Sequence, residues 1–208
     1  MKYKLIIFDF DGTLADTYPW FTQVLNEVAD KYKFKKVAES EYEKLRGYDT
    51  NEILKYLGVP LWKMPMITNH MRKLMTKDIH QISLFEGIDN LLQCISNKGV
   101  ILAVVSSNSY ENVCQILGAE NAALINYYEC GVSIFGKQAK LKKILSKSGV
   151  LHKESIYIGD EIRDIEAAKN VNIAFGGVSW GYNKVKSLKR HSPSEIFNTV
   201  DEIIIKIA

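Results

Sequence analysis

The sequence predicts a doubly wound parallel α/β sheet with an inserted all-helical segment, on three observations. Short apolar runs rich in Ile and Val recur at residues 3–10, 100–105, 155–158 and 172–175, the texture of strands buried on both faces. Stretches of helical period separate the later runs, as in repeated βα units. Between about residues 35 and 83 the strand signal disappears while helical signals continue. The expected layout is a core of residues 1–15 and 84–208 interrupted by a helical unit of residues 16–83.

The first strand runs from Tyr3 to Phe10. A helix follows, with Phe21, Val24, Leu25, Val28, Ala29 and Tyr32 on one face. Ser40 and Glu43 have the spacing of a capping box, and Thr50 can cap a helix bearing Ile53, Leu54 and Leu57 that Gly58 ends. Pro65 suits the first turn of a helix carrying Met71, Leu74 and Met75. Beyond Phe85, Ile88, Leu91, Leu92 and Ile95 make a helix stopped by Gly99, and a strand covers 100–105. Asn108 or Ser109 caps a short helix ending at Gly118. Helices around 141–146 and 162–170 flank a strand at 155–158, and another strand covers 172–175. Ser192, Pro193 and Glu195 resemble a capping box opening a last helix with Ile196, Val200, Ile203 and Ile204.

The bulk properties narrow the classes. The 208 residues suit one domain carrying a smaller insert, and 47% hydrophobic with 25% charged residues is an ordinary core-forming balance. A net charge of +3 is too small and dispersed for a nucleic-acid footprint; the lysines of 140–147 read as a solvated helix face. No run approaches a membrane span, and Asp9 interrupts the N-terminal apolar run too early for a secretory leader. Cys94, Cys114 and Cys130 show no metal-ligand spacing, and their odd number argues against a disulfide framework, so small buried residues in a reducing cytoplasm are expected.

Four groups of polar residues fall at strand ends, where ligands of such sheets sit. Asp9 and Asp11 leave the first strand on the same side, with Gly12 and Thr13 behind them. Two anions so close repel unless a cation compensates them; a solvated strand-to-loop boundary is the plain alternative. Ser106, Ser107 and Asn108 follow the second strand, where a hydroxyl and turn N–H groups can hold phosphate oxygens or simply cap a helix. Lys137, with Lys140 as near competitor, could offset the aspartates. Gly159-Asp160 with Asp164 lies at a strand-to-helix turn, where both carboxylates can face one crevice or merely cap the helix.

Taken in order, Asp9-x-Asp11-Gly12-Thr13, Ser106, Lys137 and Gly159-Asp160-x-x-x-Asp164 resemble the four signature motifs of the haloacid dehalogenase-like hydrolase superfamily, over nearly the whole chain. The segment from Gly177 to Tyr182 is similar to that family's strand and loop after the last motif. The resemblance implies a Rossmann-like core and a magnesium-dependent phosphatase acting on small phosphorylated metabolites. Asp9 would be the nucleophile forming an aspartyl-phosphate and Asp11 the general acid and base. Mg²⁺ would be held by the Asp9 carboxylate, the Asp11 backbone carbonyl and Asp160. Ser106, Ser107, Asn108 and Lys137 would bind the phosphoryl group, with Asp164 orienting Lys137 or a water from behind.

The helical insert resembles the small cap of phosphoglycolate-phosphatase-like members. Arg46, Gly47 and Tyr48, in a break between its helices, read as a substrate-facing loop or an ordinary turn. A sugar-phosphate mutase is the nearest alternative, and a non-catalytic binder of a metabolite or partner the next. A dehalogenase would lack Asp11, and a phosphonate-cleaving member would need a cap lysine. A monomer or homodimer is expected.

Overall fold

The computed structural model describes residues 2–131, 133 and 136–207. Six parallel strands form one sheet: β1 (Leu5–Phe8), β2 (Ile101–Val105), β3 (Tyr127–Glu129), β4 (Ser155–Gly159), β5 (Ala174–Val178) and β6 (Glu195–Phe197), in the order β3-β2-β1-β4-β5-β6. The chain builds outward from β1 in one direction, then returns to β4 and builds the other way. The sheet's switch point therefore lies between β1 and β4, the place where such sheets bind ligands.

The helices are α1 (Tyr18–Tyr32), α2 (Glu39–Leu45), α3 (Thr50–Leu57), α4 (Met64–Lys77), α5 (Ile88–Asn97), α6 (Tyr110–Leu124), α7 (Lys137–Ser148), α8 (Ile162–Asn170), α9 (Val185–Arg190) and α10 (Val200–Ile207). Strand β1 is wholly buried and its side chains alternate between two cores. Ile6 and Phe8 join Leu91, Val113 and Ile203 on one face; Leu5 and Ile7 join Leu141, Ile165 and Leu188 on the other. That double burial explains why β1 reads as a continuous apolar run.

Helices α1 to α4 enclose a third apolar cluster, including Leu25, Val28, Leu45, Leu54 and Ile67. The chain enters and leaves this helical segment side by side. The Asp16 N–H donates to the Ser83 carbonyl at 2.9 Å and the Phe85 N–H to the Leu14 carbonyl at 3.0 Å. Trp20 and Met75 extend the sheet's core toward the segment, and Phe21, Met71 and Leu74 touch both clusters.

Several sequence expectations need correction. Asp49, not Thr50, caps α3, its carboxylate accepting from the Glu52 N–H at 2.9 Å. Helix α2 begins at Glu39, and its reciprocal bond is from the Ala38 N–H to Glu41 rather than between Ser40 and Glu43. Gly118, with φ of 74°, interrupts α6 instead of ending it. Strand β5 lies two residues later than expected. Residues 195–197 are strand β6, so the last helix starts only at Val200; Thr199 Oγ1 accepts from the Glu202 N–H at 3.3 Å. The cysteines are free but only half-buried.

Candidate active site

Parallel register brings the strand ends together. Phe8 lies level with Val104 on one side and Ile158 on the other, so Asp9, Ser106 and Asp160 emerge from adjacent strands within a residue of the same level. The Asp9 N–H still donates to the Ile158 carbonyl at 2.8 Å, which fixes its backbone to β4. Gly12, at φ of 76°, lets the chain turn back sharply after Asp11.

Asp9, Asp160 and Asp164 are buried and place carboxylate oxygens within 4.8 Å of one another. Lys137, the first residue of α7 and itself 3% exposed, lies beneath them: its Nζ is 2.7 Å from Asp9 and 2.5 Å from Asp164. Asp164 also accepts from the Tyr157 hydroxyl at 3.1 Å and the Glu161 N–H at 3.2 Å. Asp160 has no ion-pair partner among the described residues; it accepts from Thr13 Oγ1 at 2.9 Å and the Tyr182 N–H at 2.7 Å.

This trio is short of positive charge. Burial, with Lys137 pulling down and Asp164 repelling, raises the Asp9 carboxyl to about 7. Burial also lifts Asp160 well above the usual range, helped by repulsion from Glu161, Asp9 and Asp164. Burial alone would lower the Lys137 ammonium, yet Asp164 and Asp9 outweigh it and hold the pKa above normal. Three buried carboxylates facing a single ammonium are a fitting receptor for a divalent ion.

The surroundings are moulded to Asp160. A Cβ on Gly12 or on Gly181 would collide with its carboxylate, and a Cβ on Gly159 would meet Asp164 Oδ2 at 2.6 Å. Glycines at these positions therefore let the backbone close around the acidic trio.

The Asp11 carboxylate is not part of the trio. Its oxygens accept from Asn108 Nδ2 at 3.2 Å and Ser106 Oγ at 3.4 Å. Burial raises its pKa despite the Asn108 hydrogen bond. Ser106 Oγ accepts from the Asn108 N–H at 2.9 Å, closing the turn after β2, and Ser109 caps α6. The Ser107 carbonyl accepts from Arg72 Nε at 2.7 Å, linking this turn to α4.

Eight sequence-predicted residues thus meet around one crevice: Asp9, Asp11, Ser106, Ser107, Asn108, Lys137, Asp160 and Asp164. The loop of Arg46 and Tyr48 reaches across to the core. Arg46 borders the crevice, but its guanidinium donates to the carbonyls of Gly181 at 2.9 Å and Tyr182 at 3.1 Å and pairs with Glu43. Tyr48 packs edge-on against Tyr56, and Asn183 Nδ2 donates to the carbonyls of Arg46 and Tyr48. The loop is a clasp between the helical segment and the loop that holds Asp160.

Thr13 and Tyr182, whose part the motif pattern leaves open, anchor Asp160. Arg163, paired with Glu161, and Arg72 also line the crevice, and no motif or spacing in the sequence marked them. The lysines of 140–147 are not simply solvated, since Lys140, Lys143 and Lys147 all converge on Glu129.

The family described as haloacid dehalogenase-like hydrolase matches residues 6–178. A phosphoglycolate phosphatase from Synechococcus elongatus is 28% identical over 202 residues, covering 97% of this chain and 95% of that protein. Pyrophosphatase PpaX from Oceanobacillus iheyensis is 23% identical, covering 98% and 96%. Among solved structures, a haloacid dehalogenase-like family hydrolase from Streptococcus pneumoniae superimposes with a TM-score of 0.79 at 16% identity, covering 100% of this chain and 99% of that one.

Proposed function

Since the chain belongs to the haloacid dehalogenase-like hydrolase family, we propose that it is a magnesium-dependent phosphatase of small phosphate monoesters working through a phosphorylated Asp9. The observation carrying this reading is the meeting of Asp9, Asp160 and Asp164 around Lys137, with Asp11 held across from them by Ser106 and Asn108.

Asp9 Oδ1 is the attacking atom, because Oδ2 is held by Lys137. Attack forms the aspartyl-phosphate and breaks the ester P–O bond. Asp11, whose carboxyl burial raises above the usual range, would give a proton to the departing alkoxide and then take one from the water that hydrolyses the intermediate. The Lys137 ammonium and Ser106 hydroxyl hold phosphoryl oxygens, and Asp164 fixes Lys137 from behind. A divalent cation held by Asp9, Asp160 and the Asp11 carbonyl would neutralise the phosphoryl charge.

Residues 16–83 act as a cap whose neck is the paired crossing at Asp16–Ser83 and Leu14–Phe85. Three free cysteines suit a reducing compartment, so the cytoplasm is the proposed location. Hydrolysis of p-nitrophenyl phosphate with and without Mg²⁺ tests the reading. Activity that EDTA removes and Mg²⁺ restores supports it, whereas inertness toward a broad panel of phosphate esters favours a binding protein. No helix of the described residues is long and apolar enough to cross a membrane.

A further inference from the structure

A cavity of about 280 Å³ runs from the catalytic crevice into the interior of the helical segment. Asp11, Asn108 and Arg163 lie at its catalytic end, and α1, α3 and α4 supply most of its wall. That wall is made chiefly of Trp20, Phe21, Ile53, Met64, Met71 and Met75. A cavity of about 150 Å³ with such a lining holds benzene, so this one has room for a ring or a short chain.

The arginines along the wall already make polar contacts with the protein. Arg46 spends its donors on Gly181, Tyr182 and Glu43, Arg163 pairs with Glu161, and Arg72 Nε donates to Ser107. Tyr42 turns its hydroxyl to the Thr22 carbonyl at 3.0 Å, and Thr50 and Thr68 add two hydroxyls. A carboxylate or a polyhydroxylated chain entering here would lose water without gaining enough partners. An apolar group would gain about fourfold in affinity per buried methylene. Three methionines give the wall the adaptability to fit several shapes.

Resting on the phosphatase reading above, we propose that the substrate is the phosphate monoester of an apolar alcohol, a short alkyl chain or single aromatic ring. Its phosphate lies at Asp9 and its hydrocarbon part in this cavity. The sequence relatives named for phosphoglycolate and pyrophosphate act on polar compounds, so this assignment separates the chain from them.

Two measurements on the full chain with Mg²⁺ test it. Methyl-, butyl-, hexyl- and carboxymethyl-phosphonate, which resist hydrolysis, are titrated by calorimetry. Affinity should rise by at least tenfold from methyl to hexyl, with the carboxymethyl compound no tighter than methyl. Equal affinities, undetectable binding throughout, or tightest binding of carboxymethyl-phosphonate overturns the assignment. The gradient should flatten in Met71→Gln, a near-isosteric change, and an unchanged gradient places the hydrocarbon elsewhere. In parallel, kcat/KM is compared for ethyl phosphate, hexyl phosphate and phosphoglycolate. Preference for phosphoglycolate with a flat alkyl series overturns the substrate class but keeps the phosphatase. Inertness of every ester beside a steep phosphonate gradient removes the phosphatase and keeps the pocket.

Discussion

Helix α7 contributes lysines to two ion clusters of opposite balance. At its first residue, Lys137 is a single buried ammonium bonded to two carboxylates, with the third, Asp160, close by. On its outer side, Lys140, Lys143 and Lys147 surround one buried carboxylate, Glu129, at 2.7–3.1 Å. The outer cluster has charge to spare on the lysine side, and those lysines are half in water. Burial would raise the Glu129 carboxyl, but bonds from Lys143, Lys140 and Lys147 prevail and hold it down to about 2. Around Lys137 the same burial prevails instead, and Asp9 rises to about 7. A satisfied cluster ties helix to strand, whereas a buried surplus of carboxylates is a standing demand for a cation. The second kind is the proposed cation site.

The largest effect that would break this comparison is on turnover. Asp9→Asn should lower kcat by about a thousandfold or more while circular dichroism stays unchanged; appreciable residual activity contradicts the nucleophile assignment. Lys137→Met should cost roughly a hundred- to a thousandfold in kcat, since it removes the ammonium proposed to hold phosphoryl oxygens. Asp160→Asn should weaken Mg²⁺ and with it the Mg²⁺-dependent rise in Tm, read by calorimetric titration; unchanged metal dependence refutes its role. Glu129→Gln belongs at the other extreme. It should leave kcat alone and cost about 1–3 kcal/mol of stability, a shift of several degrees in Tm.

The pH dependence of that last variant sharpens the contrast. Glu129 titrates lower folded than unfolded, so its contribution is fully present above the model-peptide value of 4.5 and is lost as pH falls toward about 2. The stability difference between wild type and Glu129→Gln should therefore shrink on acidification below about pH 4.5. A difference that stays constant to pH 2 would show that the lysines do not set its charge.

Much of the crevice was legible because strand ends announce themselves. An all-apolar run that stops at Asp9 and Asp11 is hard to place except where a buried strand meets the sheet edge. Lys137 was different, since a lone lysine after glycine carries no local mark and gained meaning only beside the other motifs. Strand β3 was missed because it is three residues long with two half-buried tyrosines. Ser192-Pro193-x-Glu195 imitated a helix start, but pairing of Ile196 and Phe197 with β5 outweighed that local preference. The six-residue α9 has too little apolar period to detect. The clasp of Arg46 and the cavity above Asp11 depend on how four helices pack against a distant loop, and no spacing encodes that.

The proposed catalytic cycle turns on phosphorylation of Asp9. Asp11→Asn with p-nitrophenyl phosphate tests it directly, because this leaving group needs no proton and the variant lacks the base that clears the intermediate. After acid quench and borohydride reduction, the peptide containing Asp9 should carry homoserine at that position, in near-stoichiometric yield. An unmodified Asp9 alongside a burst of p-nitrophenol, or reduction mapped to another carboxylate, would contradict it.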